Sequence, residues 1–178
     1  MDNKAQIHLS ILTPAFNEEK NLAPLYERLK RVMEEHQYKW EWLVVDDHSC
    51  DHTFKVLRDL SSQDPAVRGI RFSKNFGSHA ACTCAIRHAK GSVAIIIAAD
   101  LQDPPELIPL LIEKWKSVAQ VVWAARQARS GEKLTTKILA KLYYLVLRHF
   151  VGMHQIPPQG ADFFLIDAEI DAVGRDIV

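Results

Sequence analysis

Ile95-Ile96-Ile97-Ala98-Ala99-Asp100-Leu101-Gln102-Asp103-Pro104-Pro105-Glu106 is an apolar run that stops at a carboxylate, an amide and a second carboxylate, with two prolines behind them. An aliphatic run of that length reads as a strand buried on both faces, as in a parallel sheet. Pro104 and Pro105 cannot continue a ladder and suit the turn and first turn of a following helix. Oxygen side chains at the carboxyl end of a central strand stand where open α/β sheets bind ligands. Asp100, Gln102 and Asp103 are hard oxygen donors, the type preferred by Mg2+ or Mn2+ carrying a phosphate. Taken alone, the stretch reads more simply as a strand end whose polar residues cap the next helix. The other strand ends reverse that reading.

Upstream, Ile7 to Leu12 is β-rich and Thr13-Pro14-Ala15-Phe16-Asn17 breaks it. A helix is expected next, with Asn17 or Asn21 as N-cap, Glu18 and Glu19 near its positive end, and Pro24 in its first turn. Leu22, Leu25, Leu29 and Val32 recur at helical spacing as its buried stripe. Trp40 to Val45 reads as a strand ending at Asp46-Asp47-His48-Ser49-Cys50-Asp51, followed by a helix from about His52 to Ser62 that Asp64-Pro65 closes. Val67 to Phe72 is a third strand, ending at Ser73-Lys74-Asn75-Phe76-Gly77. Ser78 to Lys90 is a helix with Gly91 at C′, and Ser92 to Ala98 is the strand of the opening stretch. Downstream come a helix from Glu106 to Lys116, a strand from Gln120 to Ala124, and Arg126-x-x-Arg129. A long helix from Glu132 to Val151, the turn Gln155 to Gly160 and a strand from Asp162 to Ile166 complete the pattern. Strict β–α alternation predicts an α/β fold with a mainly parallel sheet flanked by helices. In such a sheet the clusters Thr13–Asn17, Asp46–Ser49, Ser73–Gly77, Asp100–Asp103 and Arg126–Arg129 all open onto one crevice. Carboxylates facing Lys74, Arg126 and Arg129 there suit a nucleotide diphosphate and a metal ion.

The 178 residues suffice for one domain with a sizeable core. Lysine plus arginine and aspartate plus glutamate balance at 22 each, which gives no basic surface for nucleic acid. Three cysteines (Cys50, Cys82 and Cys84) form no disulfide framework and point to a reducing compartment. No signal peptide opens the chain, and its apolar stretches are far shorter than the ~20 residues of a bilayer span. These features describe a soluble cytosolic domain, and the mid-pattern ending at Val178 suggests a fragment. His79, Cys82, Cys84 and His88 include helix-compatible pairs, but Cys82 and Cys84 are two apart and point different ways; small buried cysteines are the expectation. The helix from Glu132 to Val151 sets Leu134, Ile138, Leu142, Leu145 and Val146 beside Lys133, Lys137, Lys141 and Arg148. That pattern fits a core helix or an interfacial one near anionic lipid.

The chain has no G-x-G-x-x-G after its first strand, no phosphate-loop motif and no G-x-S-x-G. Dinucleotide redox chemistry, P-loop hydrolysis and a serine elbow are thereby disfavoured. What it has, in order, is Thr13-Pro14-Ala15-Phe16-Asn17-Glu18, Val44-Val45-Asp46-Asp47-His48-Ser49-x-Asp51-x-Thr53, Asn75-Phe76-Gly77 and Ala99-Asp100-Leu101-Gln102-Asp103-Pro104-Pro105. Arg126-x-x-Arg129-x-Gly131-Glu132 and Gly160-Ala161-Asp162-Phe163-Phe164-Leu165 follow. Over nearly the whole chain these segments resemble the motifs of family 2 glycosyltransferases with the GT-A fold. They are most similar to the subgroup that uses polyprenyl phosphates, such as dolichol-phosphate mannose synthase and undecaprenyl-phosphate sugar transferases.

The resemblance implies a single GT-A catalytic domain over residues 1–178, truncated before a membrane-associated C-terminal region. It implies an inverting transfer from a UDP- or GDP-type sugar to a polyprenyl phosphate. Pro14, Ala15, Phe16 and Glu18 would line the nucleotide pocket, with Lys74 and Asn75 nearby, and Asp46 or Asp47 would bond the base or ribose. Asp100 and Gln102 would hold Mg2+ or Mn2+ on the diphosphate, leaving Asp103 to support or cap. Arg126 and Arg129 would meet phosphate charge, and Asp162 would sit by the acceptor as base. The full-length protein would act at the inner face of the cell membrane; a homo-oligomer is compatible with this. Three positions depart from the family pattern: Ala98 replaces a usual aspartate, His48 a glycine, and Phe164 an arginine. If position 48 needs a positive φ, histidine is tolerated at some cost. Ala98 and Phe164 also admit a non-catalytic nucleotide-sugar-binding relative. A nucleotidyltransferase is the more distant rival, because Thr13 to Lys20 lacks the glycines of its phosphate loop.

Overall fold

A computed structural model describes residues 8–117, 121–124 and 163–167. Their elements run β1 (His8–Ala15), α1 (Leu22–Glu35), β2 (Lys39–Asp46), α2 (Thr53–Gln63), β3 (Val67–Arg71), α3 (Ser78–His88) and β4 (Val93–Ile96). A 3-10 turn (Pro105–Leu107), α4 (Ile108–Lys116), β5 (Val121–Trp123) and β6 (Phe164–Asp167) follow. The strands form one sheet in the order β3-β2-β1-β4-β6-β5. β3, β2, β1 and β4 are parallel, whereas β6 runs antiparallel to both β4 and β5. The expected mainly parallel α/β sheet is therefore present. Because β6 is reversed, its first residue lies at the same edge as the last residues of the parallel strands.

Successive side chains of a strand point to opposite faces, and each central strand here buries both. Leu9, Ile11, Trp42, Val44, Val93 and Ile95 pack with the leucines of α1 and with α2 and α4. Leu12, Leu43, Val45, Ala94 and Ile96 pack beneath α3, whose Ala81 and Ala85 contribute only methyl groups to the contact. The α1 stripe read from the sequence is buried throughout: Leu22, Leu25, Leu29 and Val32 all lie in the core.

Several boundaries differ from expectation for identifiable reasons. β1 does not break at Thr13 but runs through Ala15, paired with β2 to its end. The β1–β4 ladder stops at Leu12↔Ile96, after which Ile97 N–H donates to Leu12 O. Pro14 faces that unpaired side by alternation, so its missing N–H leaves no gap in the ladder. α1 starts at Leu22 with no acidic residue in its first turn; Asn21 occupies the N-cap position without a side-chain cap bond. Its amide instead donates to Glu18 Oε2 at 2.6 Å. α3 ends at His88, and Ala89 turns extended. Gly91 is no helix cap: a Cβ there would lie 2.5 Å from the backbone oxygen of His8.

α3 stops where it does because buried acceptors at the base of the sheet capture the next amides. Glu41 Oε1 accepts Lys90 N–H at 2.6 Å and Ser10 Oγ–H at 2.6 Å. Ser10 Oγ in turn accepts Gly91 N–H at 2.8 Å, and Arg68 pairs with Glu41 Oε2. Burial pushes the Glu41 carboxyl up, but the bonds from Ser10, Arg68 and Lys90 outweigh it and hold it below the ordinary range. A depressed folded-state pKa adds stability that is present above the unfolded value, near 4.5, and lost as pH falls through the folded one. Glu41→Gln should therefore cost about 1–3 kcal/mol at neutral pH, the range for an unmatched buried polar group. The gap from wild type should narrow towards pH 3 in urea titrations; a gap independent of pH would refute the assignment.

Candidate active site

The carboxyl ends of β1, β2 and β4 and the start of α3 frame one cleft, lined by Pro14, Ala15, Phe16, Glu18, Asp47, Ser78, Ala98, Ala99 and Asp100. Five residues predicted to line a nucleotide pocket or bond its nucleoside meet here: Pro14, Ala15, Phe16, Glu18 and Asp47. Asp100, predicted as a metal ligand, joins them. Phe16 presents nearly half of its surface to solvent, an aromatic face available for stacking. Ser78 went unnoticed in the sequence because it falls one residue past the Ser73–Gly77 cluster. Ala98 and Ala99 supply space rather than chemistry.

The two neighbouring aspartates separate. Asp46 is fully buried; its Oδ1 accepts Ser49 N–H at 3.0 Å and its Oδ2 lies 3.3 Å from Arg71 Nε. It fastens the β2–α2 turn and lies outside the cleft wall. Asp47 is also buried, and its Oδ1 and Oδ2 accept Phe76 N–H at 2.7 Å and Gly77 N–H at 2.8 Å. A carboxylate has about four lone-pair sites, so Asp47 fixes the entry to α3 and keeps acceptor capacity towards the cleft. Lys74 and Asn75 stand outside the wall. The Lys74 ammonium lies 5.0 Å from the Phe76 ring centroid, and Asn75 Oδ1 accepts Gly77 N–H at 3.2 Å.

Asp100 is exposed, and its Oδ1 accepts Gln102 N–H at 3.0 Å across Leu101. Asp103, by contrast, is buried. Past it, Arg28 grips Glu106 through two bonds of 3.0 and 2.6 Å, tying α1 to the 3-10 turn. Asp100 with its adjoining turn suits a divalent cation that brings its own phosphate oxygens, since Mg2+ commonly uses one or two carboxylates plus substrate phosphate. Among the described residues, no three His, Cys, Asp or Glu side chains form a closed metal cage. On α3, Cys82 and Cys84 are half-buried against the α3-side core rather than fully buried as expected, and Cys84 Sγ lies 3.8 Å from His88 Nδ1.

Backbone strain marks the same edge. Asn17, His48 and Leu101 have φ of 59°, 62° and 62°, one in each loop that follows β1, β2 and β4. Position 48 does adopt a positive φ, so histidine bears the cost there, and its ring Nδ1 lies 3.1 Å from Phe72 O. Such conformations cost of order 1–3 kcal/mol each and persist where surrounding bonds over-determine them. Leu101 carried no sequence signal. Phe164, the third departure, packs 4.7 Å from the Trp123 ring instead of presenting a cation.

Arg126, Arg129, Asp162 and the helix from Glu132 to Val151 lie outside the described residues. Among the described residues, no helix is long and apolar enough to cross a membrane.

Residues 10–172 match the family model described as Glycosyl transferase family 2. An uncharacterized glycosyltransferase, YkcC of Bacillus subtilis (strain 168), is 42% identical over 164 residues, covering 92% of this chain and 50% of that protein. The bactoprenol glucosyl transferase of Shigella phage SfV is 34% identical over 162 residues, covering 91% of this chain and 52% of that protein. The chain thus spans about half the length of the curated relatives it matches. Among solved structures, a mannosyltransferase from Pyrobaculum calidifontis in complex with GDP-Man and Mn2+ superposes with a TM-score of 0.62 at 22% identity. That match covers 97% of this chain and 48% of the other, and the likeness establishes the GT-A fold.

Proposed function

The chain belongs to glycosyl transferase family 2, and from that premise we propose that residues 1–178 form one GT-A catalytic domain. It moves a sugar, with inversion, from a UDP- or GDP-type donor to a polyprenyl phosphate. The observation that carries this is the cleft itself: an aromatic residue, a buried carboxylate and an exposed carboxylate, Phe16, Asp47 and Asp100, converge on one sheet edge. The similarity to a phage bactoprenol glucosyl transferase supports a polyprenyl acceptor.

In this reading Phe16 and Pro14 wall the base, and Asp47 accepts from the base or ribose. Asp100 and Gln102 would hold Mg2+ or Mn2+, which when bound would supply Lewis acidity and neutralise diphosphate charge. Arg126 and Arg129 add positive charge to the same end, while Lys74 and Asn75 serve the rim. A lipid phosphate is largely ionised at neutral pH because its second pKa is about 6, so Asp162 orients the acceptor more than it deprotonates it. The full-length protein acts at the inner face of the cell membrane.

The test is transfer of labelled sugar from UDP- and GDP-sugars into undecaprenyl phosphate, stopped by EDTA. No transfer from any donor refutes the enzyme reading and leaves the non-catalytic relative that Ala98 favours. Calorimetry separates the metal's role: donor affinity should rise at least roughly tenfold, about 1.4 kcal/mol, when Mn2+ is added. Equal affinity with and without it would remove Asp100 and Gln102 as metal ligands.

A further inference from the structure

The loop after β1 is held by the loop after β2 through consecutive backbone amides. Asn17 N–H donates to Ser49 Oγ at 2.9 Å, Glu18 N–H to Thr53 Oγ1 at 2.7 Å, and Glu19 N–H to Asp51 Oδ2 at 3.2 Å. The bonding is reciprocal, because Asn17 Oδ1 accepts Cys50 N–H at 2.9 Å and Glu19 Oε2 accepts His52 N–H at 2.9 Å. Asp51 is itself oriented by Thr53, whose N–H donates to Asp51 Oδ1 at 2.9 Å and whose hydroxyl donates to the same oxygen. Ser49 and Thr53 are buried. The captured segment begins at left-handed Asn17, directly after the cleft-lining Phe16, and contains the cleft-lining Glu18.

We infer that Ser49, Asp51 and Thr53 are positioning residues that set donor affinity by locking Asn17–Glu18–Glu19 into its strained conformation, without lining the cleft themselves. Freed from these acceptors, three adjacent amides would return to water and Asn17 would relax towards negative φ. Phe16 and Glu18 would then have to be reordered each time a nucleotide binds. Such ordering is a direct charge against affinity. This role rests on the reading of the cleft as a nucleotide-sugar site.

The experiment uses Thr53→Val, which keeps the shape and removes the hydroxyl, and Thr53→Ser, which restores it. With the full chain and UDP- or GDP-sugar, Thr53→Val should raise the donor KM roughly 3- to 10-fold, the equivalent of one hydrogen bond. The kcat should stay within about twofold, and Thr53→Ser should recover most of the loss. Amide hydrogen exchange at Asn17, Glu18 and Glu19 should quicken in Thr53→Val and in Ser49→Ala. An unchanged KM, an equal loss in Thr53→Ser, or unchanged exchange would each overturn the inference. Ser49→Ala carries the same measurements if Thr53→Val does not fold. If wild type binds no nucleotide, the donor reading falls and takes the affinity role with it; faster exchange in the variants would still establish the lock as a feature of the fold.

Discussion

Asp100→Asn should lower sugar transfer by roughly 10²- to 10³-fold, the scale seen when one preorganised electrostatic contact to a developing charge is lost. The substitution is chosen to remove charge and little else. Asn keeps the side-chain oxygen that accepts Gln102 N–H, so the turn that forces Leu101 to positive φ retains its bond. The site is exposed, and surface changes of this kind usually shift stability by no more than about 0.5 kcal/mol. The melting temperature should therefore stay essentially constant while activity collapses. The dependence on this residue should be unusually steep because Ala98 supplies no second carboxylate on the same strand end. Added Mn2+ should raise donor affinity in wild type and leave it unchanged in the variant. Transfer retained at a third or more of the wild-type rate would show that Asp100 is not the metal-holding carboxylate.

That experiment concerns the stretch from which the fold was most legible. Ile95 and Ile97 turn to one face of β4 and its continuation and Ile96 to the other, all buried, as an aliphatic run in a central parallel strand requires. The strand-end clusters were legible because turn chemistry interrupts each apolar run, whereas the positive φ at His48 could be raised only as a condition, from the glycine that the family pattern has there. Other features depend on partners distant in sequence. Nothing local distinguishes Asp46 from Asp47; the first turns inward because Arg71 and the Ser49 amide are there to receive it. Glu18 and Glu19 resemble helix-start residues, yet their amides go to Thr53 and Asp51. The motif Asp51-x-Thr53 was visible as a motif, whereas its mechanical role needs the two loops side by side. The reversal of β6 likewise left no trace in its composition, since a strand buried in either direction carries the same apolar residues.

Gly91→Ala should be among the most destabilising single-methyl changes in the chain, costing about 3 kcal/mol, the upper end for overpacking. The new Cβ would lie 2.5 Å from His8 O, 2.7 Å from Ser10 N and 2.9 Å from Leu9 C, all backbone atoms of β1. No rotamer change relieves a clash with backbone; β1 and the α3–β4 connection would have to separate. That movement would also strain the Gly91 N–H bond to Ser10 Oγ and the Glu41 cluster behind it. For a chain of this size the loss corresponds to a fall of about 6–12 °C in melting temperature. Two other glycines calibrate the mechanism. A Cβ at Gly69 meets Leu57 Cδ2 at 2.8 Å and Cγ at 2.9 Å, side-chain atoms that can shift where backbone cannot, so Gly69→Ala should cost less. Gly77 has φ of 90° and ψ of 158°, a region open essentially to glycine alone, with nothing within 4 Å of an added Cβ, so Gly77→Ala should cost backbone strain only, about 2 kcal/mol. Thermal melts of the three variants should therefore rank Gly91→Ala lowest. A Gly91→Ala melting point within about 2 °C of wild type, at most about 1 kcal/mol on the same scale, would mean that β1 and the segment before β4 do not approach so closely.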